Sequence, residues 1–222
     1  MSARVAVLAS GSGSNLQAMI DYFAALGDRS DAAVVLVASD RSSAGALDRA
    51  RARGIRAVAL DAAQRTAGMA ALLDAEGIET IALAGYLRFV PAEVTRRWRG
   101  RIVNVHPSLL PSFGGAGMYG VRVHQAVIAA GVRVSGVTVH FVDEEYDRGP
   151  IIAQWPVPVL PNDSAETLAH RVLAAEHAVY PPVVHAVARG RITLGSDGRV
   201  AGIVGPTENC ARFSLVRSDT PP

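Results

Sequence analysis

Residues 5–20 read VAVLASGSGSNLQAMI: a short apolar run, a loop of small residues, and then Leu16, Met19, Ile20, Phe23 and Leu26 recurring at helical spacing. That is a strand, a tight loop and a helix. Working outward, AVVLVA at 33–38 reads as a second buried strand, 44–52 as a helix and 57–60 as a third strand. Met69, Leu72 and Leu73 mark another helix, 80–84 a fourth strand, and Ile102 to Val105 a fifth after a helix opened by Pro91. Strands alternating with helices predict an α/β domain of Rossmann-like type, an open and mostly parallel sheet with helices on both faces.

Beyond Val134 the pattern changes. Val137, Val139 and Phe141 alternate with Thr138 and His140, which describes a strand with one polar side, and 151–157 forms the next strand. Asp163 and Glu166 resemble a capping box opening a long helix striped by Leu168, Val172, Ala175 and Val179. Pro181 and Pro182 are expected to end or kink that helix, with a second segment to Arg189 and a cap at Gly190. A hairpin turning at Asp197 and Gly198 follows, and 206–222 reads as a loose tail. The expected organisation is one domain over 1–205, with 1–100 carrying phosphate binding and 101–205 the catalytic groups.

The chain has 222 residues, half of them apolar but only 5% aromatic, enough for one sizeable core. Its 22 basic and 20 acidic residues are interspersed, so a pI of about 9.0 is weak ground for nucleic-acid binding, and none is expected. The single cysteine, Cys210, offers no internal disulfide and no zinc cluster. The N-terminus enters a strand without the layout of a signal peptide, and no run is long enough for a membrane span, so a cytoplasmic protein is expected.

The loop SGSGSN, Ser10 to Asn15, puts free backbone N–H groups and the positive end of a helix dipole where an anion can approach. A phosphate monoester, a dinucleotide and a plain turn are all open readings. Leu16 occupies the place where the dinucleotide fingerprint wants a third small residue, although Asp40 at the end of the second strand is placed to bind a ribose. No GK[ST] follows, which excludes a P-loop.

NVHPSLLP at 104–111 and DEEYDRGPII at 143–152 supply Asn104, His106 and Asp147: a neutral donor, a titratable imidazole and a fixed charge, the parts needed to manage an oxyanion and a proton. Singly each has a plainer reading, as a turn residue, a surface histidine or a turn carboxylate. If the turn at Asp147 folds back over the sheet, its carboxylate is expected to raise the His106 pKa. His124 and His140 are candidates to line the same cleft, whereas His170, His177 and His185 belong to the C-terminal helical region. Nothing resembles HExxH, so no metal is expected.

These motifs, with GSGSNLQA at 11–18, LAGYLRFV at 83–90, GVTVHFVDEEYDRGPII at 136–152 and EHAVYP at 176–181, closely resemble the phosphoribosylglycinamide formyltransferases, the folate-dependent enzymes of purine synthesis. The resemblance covers nearly the whole chain. It implies the formyltransferase fold, 10-formyltetrahydrofolate as co-substrate, glycinamide ribotide as acceptor, and a monomer or homodimer. Asn104, His106 and Asp147 would be catalytic. Ser12, Gly13, Ser14 and Asn15 would take the ribotide phosphate and Glu176 the ribose hydroxyls. Leu87, Arg88, Phe89 and Val90 would form the folate loop together with Asn104 and the backbone around 143–147, and Arg65 would meet the benzoylglutamate end. The segment SFGGAGMYGVRVH, 112–124, varies in such enzymes and receives no role.

NxHPSLLP with a downstream DxGPII is shared with other formyltransferases, so formylation of another amine and hydrolysis of formyltetrahydrofolate remain alternatives. The related hydrolase carries an N-terminal regulatory domain and a second His beside the catalytic one, whereas Val105 and Pro107 flank His106 here. A non-catalytic nucleotide binder using only the glycine loop and Asp40 is the reading from another class. It leaves the Asn104, His106 and Asp147 set unexplained.

Overall fold

The structure, a computed structural model, describes residues 2–202; the expected tail at 206–222, with Cys210, lies outside the described residues. The chain alternates as expected through β1 (Ala3–Leu8), α1 (Ser14–Leu26), β2 (Ala32–Ser39), α2 (Gly45–Ala52), β3 (Arg56–Ala59), α3 (Gly68–Ala75), β4 (Thr80–Leu83), α4 (Ala92–Arg97) and β5 (Ile102–His106). It then runs through α5 (Val121–Ala129), β6 (Val134–Phe141), β7 (Ile151–Pro158), α6 (Ala165–Ala188) and the short hairpin β8 (Thr193–Leu194) and β9 (Val200–Ala201).

Seven strands form one sheet in the order β3-β2-β1-β4-β5-β6-β7. The pairings from β3 through β5 are parallel, and those of β5 with β6 and β6 with β7 are antiparallel. Residues of α1, α2, α5 and α6, among them Leu16, Met19, Leu47, Val127 and Val183, pack on Val5, Val7, Val37 and Val103 on one face. Met69 and Leu73 of α3, Val94 of α4 and Trp98 at its C-terminal cap pack on Leu8, Leu36 and Ile81 on the other. Alternate side chains of each strand serve opposite faces, so a parallel sheet buried twice needs the near-continuous apolar runs seen in β1 and β2. Strand order reverses between β1 and β4, and the loops after these two strands diverge there to leave a crevice at the carboxyl ends.

Three local expectations are corrected. The α6 helix runs through Pro181 and Pro182 instead of ending there. Proline's φ suits a helix and its cost is a missing hydrogen bond and local crowding; every residue from Tyr180 to Val187 is buried, and that packing outweighs it. The cap of α6 is Ser164, in a reciprocal box with Thr167. Asp163 instead grips Arg171 through two bonds of 2.6 and 2.8 Å, which holds its carboxyl far below the usual range. Finally, α5 occupies part of a stretch that received no element from the sequence; Val123 and Val127, one turn apart and fully buried, are its signal.

One contact ties α6 to the sheet. The buried Tyr180 hydroxyl lies 2.9 Å from the carbonyls of both Leu83 on β4 and Val103 on β5 and shares its proton between them.

Candidate active site

A cavity of about 580 Å3 opens at the carboxyl ends of β1, β4 and β5. It is walled by the loop after β4, the end of β5, the segment before α5, the turn between β6 and β7, and the inner face of α6.

Asn104 and His106 alternate along β5 and so project from the same face of it. The antiparallel register sets Asn104 opposite His140 and His106 opposite Thr138. The Asn104 carboxamide donates to His140 Nε2 at 3.1 Å, while His140 Nδ1 donates to its neighbour's carbonyl, Phe141 O, at 2.8 Å. A carbonyl can only accept, so His140 Nδ1 carries a proton, and the Asn104 carboxamide keeps a second N–H for the cavity. His106 is held similarly: Nε2 donates to Phe113 O at 2.8 Å, and Nδ1 faces Asp147 Oδ2 at 3.4 Å.

Asp147 adopts φ 55, a left-handed conformation that aspartate tolerates better than most residues. The turn thereby folds back over the sheet, bringing Oδ1 to 3.6 Å from His140 Nε2 while Oδ2 accepts from Gly115 N–H at 2.9 Å. Burial pushes the Asp147 carboxyl up, but the His140 and His106 imidazoles and the Gly115 N–H together hold it below the usual value. The net direction at His106 is the reverse of the sequence expectation. Burial of the ring lowers its pKa and His140 adds to this; Asp147 and the Phe113 carbonyl pull upward without prevailing. Each ring nitrogen of His106 faces an acceptor, Nε2 the Phe113 carbonyl and Nδ1 the Asp147 carboxylate.

Across the cavity, Asn15 in the first turn of α1 donates to Glu176 Oε2 at 2.6 Å. Burial drives the Glu176 carboxyl up to about 7, and the bond from Asn15 offsets only part of this. Asn15 Oδ1 is buried without a partner. Ser12, Gly13 and Ser14 adjoin this pair at the N-terminus of α1, while Asn15 is the loop's contribution to the cavity wall among the described residues. Gly13 has φ 77, and a Cβ there would lie 2.7 Å from Ala46 Cα, so glycine lets α1 start hard against α2.

The loop after β4 forms the mouth. Leu87 and Phe89 are exposed, Val90 is buried, and the Phe89 ring meets that of Tyr146 edge-on at 5.0 Å. Arg88 pairs with Asp40 at 3.2 Å, and Ser10 Oγ donates to the other Asp40 oxygen while accepting from Leu87 N–H. Asp40 thus braces the loop. Arg65 is outside the cavity wall: it donates to Leu60 O at 2.9 Å, and its charge only partly offsets the burial and the Asp40 charge that push the nearby Tyr86 hydroxyl up to about 12.

Sequence reasoning placed His140 and His124 only in the general cleft. Both line it, and His140 touches two of the three expected catalytic groups. The polar alternation of β6 was visible; the register that sets His140 opposite Asn104 was not.

The formyl transferase family profile matches residues 3–184. The chain belongs to that family. Two plant relatives, both named phosphoribosylglycinamide formyltransferase, chloroplastic, share 40% identity over 88% of this chain (Arabidopsis thaliana) and 42% over 88% (Vigna unguiculata). The chain spans 68% and 64% of those two proteins. The solved glycinamide ribonucleotide transformylase 1 of Symbiobacterium toebii superposes with a TM-score of 0.81 at 40% identity, covering 91% of this chain and 94% of that one. The formyltransferase fold expected from the sequence is the fold found. Among the described residues no helix is long and apolar enough to cross a membrane.

Proposed function

We propose that this formyltransferase moves the formyl group of 10-formyltetrahydrofolate to the amine of 5-phosphoribosylglycinamide, giving formylglycinamide ribotide and tetrahydrofolate in de novo purine synthesis. The observation that carries the reading is the convergence of Asn104, His106 and Asp147 in one cavity whose opposite wall holds the Asn15 and Glu176 pair.

The cavity fits both ligands in kind. Leu83, Val90 and Val142 give an apolar wall, the loop after β4 gives free backbone groups for a flat heteroaromatic ring, and the start of α1 gives N–H donors for a phosphate. 10-Formyltetrahydrofolate supplies the formyl group. Asn104 donates its second N–H to the formyl oxygen as that atom gains negative charge. His106 Nδ1 takes the proton released by the attacking amine, and Asp147 stabilises the imidazolium so formed before the proton passes to the departing folate nitrogen. Glu176 accepts from the ribose hydroxyls, and Ser12 to Asn15 hold the phosphate. Arg88, Leu87, Phe89 and Val90 bind the folate, with Arg65 at its acidic end.

The reading carries with it one functional domain over 1–205, a cytoplasmic location and a monomeric or dimeric state, the last checked by sedimentation. A coupled assay of tetrahydrofolate release with and without glycinamide ribotide tests the activity. Ribotide-dependent release is expected; equal release without it would identify a hydrolase, and release with a different amine alone would change the acceptor.

A further inference from the structure

The segment from Ser112 to His124 carries no role in the reaction described above, yet its first residues grip both members of the proton-handling pair. Phe113 O accepts from His106 Nε2 at 2.8 Å, and Gly115 N–H donates to Asp147 Oδ2 at 2.9 Å, the same oxygen that faces His106 Nδ1 at 3.4 Å. These two backbone groups, two residues apart, close a ring of contacts with the imidazole and the carboxylate. Between them, a Cβ on Gly114 would collide with Leu110 Cδ2 and stand 3.3 Å from Asp147 Cβ, so a bare backbone is what allows the strap this close. Phe113 has φ 55, a conformation a phenylalanine rarely keeps unless its surroundings impose it. Its side chain is partly buried against the hydrophobic core, which anchors the strap.

We infer that the strap Phe113–Gly115 is a positioning element for His106 and Asp147. Its carbonyl selects the Nε2–H tautomer, and its N–H turns the carboxylate, so that the basic nitrogen and Asp147 face each other. The inference rests on the formyl-transfer reading for its kinetic consequence, but the tautomer it assigns is a property of the chain alone. The strap also acts on titration. The Phe113 carbonyl raises the His106 pKa and the Gly115 N–H lowers that of Asp147, while the other groups facing the pair are His140 and Asn104 from the sheet and His124 from α5. Freed from the strap, His106 titrates lower and Asp147 higher.

The test is a graded pair of variants, Gly114→Ala and Gly114→Val, followed by steady-state kinetics across pH and by 15N spectra of the histidine rings. In the wild type His106 is expected as the Nε2–H tautomer, and a dominant Nδ1–H form overturns the inference whatever the enzyme's activity. In the Val variant kcat is expected to fall by at least about tenfold with both KM values within about threefold, because the binding groups are untouched while the pair is displaced. The acid limb of its rate profile, set by protonation of the His106 base, should move downward together with the His106 titration, with the Ala variant between it and wild type. A folded variant with the wild-type acid limb and tautomer overturns the inference even if kcat falls, since the strap would then be merely structural. If the Val variant does not fold, the Ala variant is judged by the same two readouts. Wild-type enzyme without ribotide-dependent turnover would defeat the proposed function and leave the tautomer test standing.

Discussion

Two buried carboxylates line one cavity and are displaced in opposite directions: Asp147 is held below its ordinary pKa, whereas Glu176 is pushed up to about 7. Burial pushes both upward. The difference lies in what each meets, since Asp147 has two imidazoles and a backbone N–H and Glu176 has Asn15. Environment rather than residue type divides the labour, so that one carboxylate is charged at every working pH and the other changes charge near neutrality. On the catalytic side the protein supplies its own partners. Around Asn15 and Glu176 it leaves them incomplete, as the unpartnered Asn15 Oδ1 records, and in the proposed reaction the acceptor's hydroxyls complete them.

The contrast can be broken most directly at Asp147. Asp147→Asn keeps the shape but removes the charge that stabilises the His106 imidazolium, and kcat should fall by roughly 10²–10⁴-fold with the ribotide KM nearly unchanged. Near-normal turnover of the purified variant would remove Asp147 from the chemistry. Stability gives the next largest effect. The folded-state pKa of Glu176 lies above its ordinary value, so its contribution is fully present below about pH 4.5 and is lost as pH rises through about 7. Glu176→Gln should therefore be more stable than wild type at pH 8, by at most about 3 kcal/mol, and gain nothing at pH 4. Denaturant melts at the two pH values check this, and an equal difference at both would mean that Glu176 is not displaced. Smallest is the effect on acceptor binding. If ribose hydroxyls need the carboxylate form, wild-type affinity for ribotide rises from pH 6 to pH 8, while Glu176→Gln binds about tenfold more weakly with a flatter profile, roughly 1.4 kcal/mol. Calorimetric titration measures both.

The same division separates what the sequence revealed from what it hid. The strands and helices up to β5 were legible because alternating short apolar runs and helical stripes are local signals. Asn104, His106 and Asp147 could be picked out because two rigid motifs carry them, and Asn15 and Glu176 because the family resemblance did. The role of His140 was hidden in the antiparallel register of β5 and β6, a non-local property. The direction of the His106 shift was misjudged because the attraction of Asp147 can be imagined from sequence, whereas the extent of burial cannot. Local rules also failed where packing overrules them: α6 continues through two prolines because every residue from Tyr180 to Val187 is buried. Behind a glycine-rich approach, the α5 region received no element from the sequence.

The Tyr180 hydroxyl, shared between the carbonyls of Leu83 and Val103, has a consequence for how far this cleft can be remodelled. Glu176 lies one helical turn before Tyr180, and Asn104 directly follows Val103, so in the proposed reaction a single phenol would work as a ruler between the acceptor's sugar and the reacting carbon. Neither end can be shifted without breaking that gauge. On the proposed function, broadening of the acceptor range is expected in the loops, where length and composition can vary while the spacing between sugar and formyl group stays constant.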